Sequence, residues 1–212
     1  MPSSPAIERH PLQPFLPKEA RLLMLGSFPP PNERWCMDFF YPNPQNDMWR
    51  IMGQIFFGDK LHFVEQESRE QGRKAVFRYE AIVSFCQTQG IAIFDTAQAV
   101  IRLQGNAADE QLEIVQPTDI AALLHQLPLC HDICCTGGKA AETLSEIIAD
   151  ASTDSSMKSA VSLPKPGECI ETSFANRPIR FWRMPSSSRA YPLSLDKKAA
   201  AYQRMFTTIG ML

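Results

Sequence analysis

The sequence predicts an α/β protein on a short, mostly parallel sheet. Short apolar runs at Leu22 to Leu25, Ile91 to Phe94 and His131 to Cys135 have the length of buried strands. Each ends at a glycine or at small polar residues, namely Gly26, Asp95-Thr96 and Thr136-Gly137. The stretches between them carry helix signals, and strands that alternate with helices pair in parallel.

Residues 1–20 are proline-rich and read as an extended leader. Arg21 to Gly26 is the first strand. Ser27-Phe28-Pro29-Pro30-Pro31-Asn32 follows, a run that forms neither helix nor central strand because proline has no amide hydrogen. A stiff loop therefore leaves the carboxyl end of the first strand. Asn46 or Asp47 caps a helix over Met48–Phe57, which Gly58 stops. Residues 64–88 read as amphipathic helix with Val64, Phe77, Ile82 and Phe85 inward.

The second strand is Ile91 to Phe94. The third, His131 to Cys135, runs into an Ala/Glu-rich helix over Lys139–Asp150. Residues 151–169, rich in Ser, Lys, Pro and Asp, read as a loop or insert. Pro178 to Met184 is the last strand. Pro185 ends it, Ser186 to Arg189 form a loop, and Ser194 caps a final helix to about Thr208. The expected organisation is one domain over 1–212.

Composition narrows the class. Hydrophobic residues make up 44% and charged residues 21% of 212 residues, enough to bury a core without staples and far from the balance of a disordered chain. No apolar run approaches the roughly 20 residues of a membrane helix. The start, Met-Pro-Ser-Ser-Pro-Ala-Ile-Glu-Arg-His, lacks the basic flank and apolar block of a secretory signal, so the cytoplasm is the expected compartment. The cysteines at 36, 86, 130, 134, 135 and 169 fit free thiols there. They form no Cys-x2-Cys pair, and neither a metal nor another cofactor is expected.

Charge is uneven. Residues 177–204 hold seven basic side chains against Asp196 alone, a local +6 in a chain of net charge −2. Such asymmetry fits a surface facing a polyanion, and equally an ordinary solvated basic face.

Sites in parallel sheets form at the carboxyl ends of strands, which singles out loops 26–46, 95–109 and 184–193. No Gly-x-Ser-x-Gly elbow and no P-loop is present. Thr136-Gly137-Gly138-Lys139, between a strand and a helix, reads either as an anion-holding helix start or as a tight turn. Residues 39–49 crowd together four aromatics, three amide side chains and two prolines. Stiff backbone, flat stacking surfaces and paired donors and acceptors suit recognition of a planar heterocycle. Phe39, Phe40 and Trp49 also suit a core.

The ordered set of Gly26-Ser27-Phe28-Pro29-Pro30, Tyr41-Pro42-Asn43-Pro44-Gln45-Asn46-Asp47-Met48-Trp49 and Met184-Pro185-Ser186-Ser187-Ser188 resembles the uracil-DNA glycosylase superfamily, closest to its mismatch-specific (G:T/U) and hypoxanthine-DNA glycosylase branches. Ile93-Phe94-Asp95, Arg102, Gly105 to Asp109 and Thr136 to Ala141 resemble the segments between. The resemblance spans about residues 12–208 and implies a three-layer α/β/α sandwich. It also implies a monofunctional glycosylase that flips a deaminated base, uracil or hypoxanthine, out of DNA and hydrolyses its N-glycosidic bond in base excision repair.

That resemblance assigns Asn46 to water positioning and the amides of Ser27 and Phe28 to the departing base. Tyr41 would stack on the base within a pocket of Gly26, Pro29, Asn43 and Ser186. Ser187, Ser188, Arg189 and Lys139 would meet DNA, with Arg189, Ala190 and Tyr191 filling the emptied stack. The partner is DNA carrying a damaged or mismatched base, with no membrane and no obligate protein partner, and the implied state is a monomer. The chain departs from the classical branches at Phe28 and Met184, where they carry polar side chains. Asp47 is either a base or a helix cap. Two other readings fit the residues: a DNA-binding module of this fold without catalysis, and an α/β enzyme acting on a free nucleotide or base.

Overall fold

The structure, a computed structural model, describes residues 6–70, 75–103, 112–151 and 162–212. Its central sheet has five strands: β2 (Leu22–Gly26), β3 (Ile91–Asp95), β6 (Asp132–Cys135), β7 (Glu168–Phe174) and β8 (Arg177–Arg183). Their order is β3-β2-β6-β8-β7. The first four in that order run parallel, and β7 returns antiparallel at the edge. Every residue of β2, β3 and β6 is buried. Burial on both faces of a strand requires a layer on each side of the sheet, so the predicted mixed α/β architecture is the observed one.

A second sheet was not foreseen. β1 (Ile7–Arg9), β4 (Ala97–Arg102) and β5 (Leu112–Pro117) form an antiparallel sheet in the order β1-β4-β5. Part of the expected leader is thus a strand, and the expected loop 95–109 begins with another. Gly105 to Asp109 lie outside the described residues, as do 152–161 of the expected insert, whose last two residues open β7.

The helices follow their caps. α1 (Met48–Phe57) ends at Gly58, whose φ of +67° is left-handed backbone that favours glycine. Its residues Met48 to Gly53 are all buried, and α1 packs against α6 (Leu195–Thr208). The Ser194 side chain accepts from the Lys197 amide at the start of α6. The single helix expected over 64–88 is instead α2 (Gln66–Glu70) and α3 (Tyr79–Gln89). Val64, before α2, and Phe77, before α3, pair as an isolated bridge. All four side chains expected inward are buried, so apolar content was read correctly but its period was not. α4 (Ile120–His125), unanticipated, is capped by Asp119 accepting from the Ala122 amide. α5 (Gly138–Ala151) follows β6 as expected.

Candidate active site

Parallel register brings four strand ends to one edge. Gly26 pairs with Asp95, and Leu25 with Cys135. The Thr136 amide donates to the Leu25 carbonyl at 2.9 Å and the Met184 amide to the Cys135 carbonyl at 2.8 Å. Gly26, Asp95, Thr136 and Met184 therefore lie side by side. All three loops expected to carry function leave from this edge.

The first loop is stiff, and the reason is legible in its bonding. Prolines in sequence leave carbonyls without a regular ladder partner, and side-chain donors meet them here. Arg102 Nη2 donates to the Pro29 carbonyl at 2.6 Å, Trp35 Nε1 to Pro30 at 2.7 Å, Cys36 Sγ to Pro42 at 3.1 Å and Arg50 Nη1 to Pro44 at 2.9 Å. Pro29 is buried. The Phe28 ring packs on the second sheet's apolar cluster of Ala97, Val100 and Leu112. Arg102 lies over that ring at 5.5 Å, and His10 meets it edge-on at 5.4 Å. Phe28 is thus an anchor that holds the loop against the β1-β4-β5 sheet.

Tyr41 has φ of +51°. A bulky residue in left-handed backbone is strained and persists only where its surroundings impose it. Its hydroxyl bonds Thr136 Oγ1 at 3.0 Å and its ring meets Trp49 edge-on. Burial, and after it the Asp95 carboxylate, pushes the phenol well above its ordinary value. Asn43 Oδ1 accepts from the Gln45 amide, and the Asn46 amide donates to the Asn43 carbonyl. Asn46 Oδ1 accepts from the Met48 amide at 2.8 Å, so Asn46 supplies the bond at the start of α1. Its Nδ2 makes no hydrogen bond among the described residues.

The last loop is clasped to the first. Asn46 and Ser188 form a bridge, and the Asp47 amide donates to the Ser187 carbonyl at 2.9 Å. The Asp47 side chain makes no cap bond to α1 and is ion-paired instead. Its Oδ1 accepts from Arg189 Nε at 2.9 Å and its Oδ2 from Lys198 Nζ at 3.3 Å. Lys198 also donates to the Ser188 carbonyl at 2.7 Å. Ser187 is buried, Ser186 and Ser188 are half-buried, and the Arg189 side chain is 51% exposed. Ser186 Oγ accepts from the Ser188 amide, and Ser188 Oγ from the Ala190 amide. Met184 is buried.

The basic segment divides between the two ends of the sheet. Arg177, at the start of β8, donates to the carbonyls of Leu127 and Cys130, and Arg180 pairs at 2.7 Å with buried Asp132, the first residue of β6. Arg183, by contrast, reaches Gly138 at the start of α5, beside half-buried Lys139. The local +6 therefore overstates the charge at the site edge.

Sequence reading missed the second titratable pair of this edge. Asp95, at the end of β3, accepts from His10 Nε2 at 2.9 Å, and the two side chains are 9% and 2% exposed. The partners stand 85 residues apart. Asp95 was visible as the polar end of an apolar strand, but nothing in the leader marked His10.

The structure is thus an α/β protein with a stiff, aromatic, amide-bearing loop clasped by a second loop at the carboxyl edge of its parallel strands, where sites of such sheets form. No protein-family model matches the chain, and no curated protein sequence does. Among solved structures the chain is similar to the solution NMR structure of a "putative Uracil DNA glycosylase" from Methanosarcina acetivorans, with 21% identity, a TM-score of 0.61, and coverage of 97% of this chain and 99% of that one. The likeness is one of fold along almost the entire length of both chains.

Proposed function

We propose that the chain is a monofunctional DNA glycosylase, acting as one domain, that flips a deaminated base, uracil or hypoxanthine, out of DNA and hydrolyses its N-glycosidic bond in base excision repair. The observation that carries the reading is the clasp of Asn46 and Asp47 to Ser187, Ser188 and Arg189. It joins the two segments that resemble the superfamily's base-binding and DNA-binding loops, in a chain whose fold matches a structure named for that activity.

In this reading Tyr41 stacks on the flipped base, a contact worth about 1–3 kcal/mol against the few kcal/mol lost on unstacking. Gly26, Pro29, Asn43 and Ser186 line the base pocket. The amides of Ser27 and Phe28 stabilise the base as it leaves with the bonding electrons. Asn46 orients the attacking water through its uncommitted Nδ2. Ser187, Ser188, Arg189 and Lys139 hold the DNA backbone, and the loop 189–191 fills the gap in the stack. Ser187 does so through main chain, since its side chain is buried.

The test is base release from labelled duplexes by the wild type and by Asn46→Ala. Loss of release with retained binding supports the assignment. Equal release by both proteins removes Asn46 from the chemistry. Binding without release on any lesion selects a non-catalytic DNA-binding module of the same fold.

A further inference from the structure

We infer that Asp95 is the group that takes the proton of the attacking water and that His10 is its positioning residue. This deepens the glycosylase reading and rests on it. Neither Phe28 nor Met184, at positions where polar side chains would act, has an ionisable group, and Asp47 is consumed by Arg189 and Lys198. Asp95 is the carboxylate at the shared strand edge whose two oxygens have separate surroundings.

Its Oδ2 accepts from His10 Nε2 at 2.9 Å. His10 Nδ1 lies 3.0 Å from the Leu12 carbonyl and 3.1 Å from the Leu12 amide, so the ring is held at both nitrogens. The ring is packed among Phe94, Phe28 and Phe40 at centroid distances of 4.6, 5.4 and 6.2 Å. The His10 amide is tied to the Gln98 carbonyl at 2.8 Å, and the Asp95 carbonyl accepts from Thr118 Oγ1 at 2.7 Å. Both partners are therefore fixed in backbone and side chain.

Asp95 Oδ1 makes no hydrogen bond among the described residues. It overhangs Gly26: a Cβ at residue 26 would collide with it and lie 3.8 Å from the Tyr41 hydroxyl. The oxygen thus stands where the first loop departs, against the residue assigned to stack on the base. A carboxylate there performs two tasks at an oxocarbenium-like centre. It opposes the developing positive charge, and it accepts a proton as water adds. The C1′–N bond breaks with its electron pair leaving on the base, the water oxygen bonds C1′, one water proton passes to Asp95 Oδ1, and the departing base anion gains a proton from solvent. The products are a free base and an abasic sugar. His10 holds Oδ2, so that Oδ1 keeps its aim.

The experiment is single-turnover base release from the lesion duplex that wild type processes fastest, alongside binding of the same duplex. Asp95→Asn is expected to slow release by about 100-fold or more, the usual worth of a positioned acid or base, with affinity within a few-fold of wild type. Asp95→Ala is expected to recover measurable release on addition of formate, which restores a carboxylate but would not repair a structural defect. His10→Leu should slow release, and His10→Gln, which retains a donor, should recover most of it. Wild-type release rates in Asp95→Asn, or a folded Asp95→Ala that formate leaves inert, overturn the inference and leave the glycosylase reading intact. A wild type that releases no base from any lesion overturns the glycosylase reading itself, and the inference with it.

Discussion

The Asp47 carboxylate accepts from the Lys198 ammonium at 3.3 Å, and Lys198 is only 1% exposed. A fully buried ammonium at the first turn of α6 is thereby neutralised by the residue that opens α1, with Arg189 on the other carboxylate oxygen. One buried charge cluster joins two helices and two loops at the proposed site.

Asp47→Ala strands the Lys198 charge. Breaking a buried pair from one side costs about 3–5 kcal/mol. Lys198→Met is expected to cost less, because Asp47 keeps Arg189 and the apolar chain fills similar volume. Urea denaturation of both variants checks this. Equal losses would show that Arg189 gives Asp47 no compensation.

Gly26→Ala places a methyl group against Asp95 Oδ1. Overpacking of this kind costs about 1–3 kcal/mol. The variant should fold with reduced thermal stability and lose base release more than it loses binding. Unchanged release would contradict the placement of that oxygen beside the reacting sugar.

Thr96 Oγ1 is buried and has no hydrogen-bond partner among the described residues. Removing an unsatisfied buried hydroxyl while keeping its shape stabilises by about 1 kcal/mol. Thr96→Val is therefore expected to raise the unfolding midpoint, as a denaturation curve would show. A lower midpoint would mean that the hydroxyl finds a partner in solution.

Stability should fall on the alkaline side. Burial pushes the Cys130 thiol up to about 12, raises those of Cys86, Cys134 and Cys135 as well, and likewise raises the phenols of Tyr41 and Tyr202. In the unfolded chain thiols ionise from about pH 8.5 and phenols from about pH 10. The unfolded state then holds fewer protons than the folded one, so stability declines as pH rises past those values. Their contribution is complete below about pH 8. Denaturation at pH 7, 9 and 10.5 measures the decline, which Tyr202→Phe should lessen at the highest pH. A thiol reagent on the folded protein should modify partly exposed Cys36 and Cys169 before the four buried thiols.

Much of this architecture was legible where local chemistry sets it. Asn46, Gly58 and Ser194 carry cap signals, and α1 and α6 begin and end where those residues indicate. Apolar runs closed by Gly26, Asp95 and Thr136 marked three strands and the edge they share. What escaped depends on distant partners. The β7–β8 hairpin turns at Ala175 and Asn176 with φ of +51° and +59°, and alanine gives no turn signal. β1 is three residues long and is a strand only because β4 pairs with it. The expected site residues Gly26, Tyr41, Asn46 and Arg189 all lie on loops or ends at this edge. His10 and Lys198 reach it only through tertiary packing, which no spacing in the sequence announces.

The central claim is that this edge releases a base from DNA. Duplexes carrying one uracil, hypoxanthine or xanthine, labelled on the damaged strand, are incubated with the protein and resolved with and without hot alkali. The account predicts, for uracil or hypoxanthine, free base in solution and a strand that breaks only after alkali. Strands that survive alkali on every duplex, with binding retained at low salt, would contradict it.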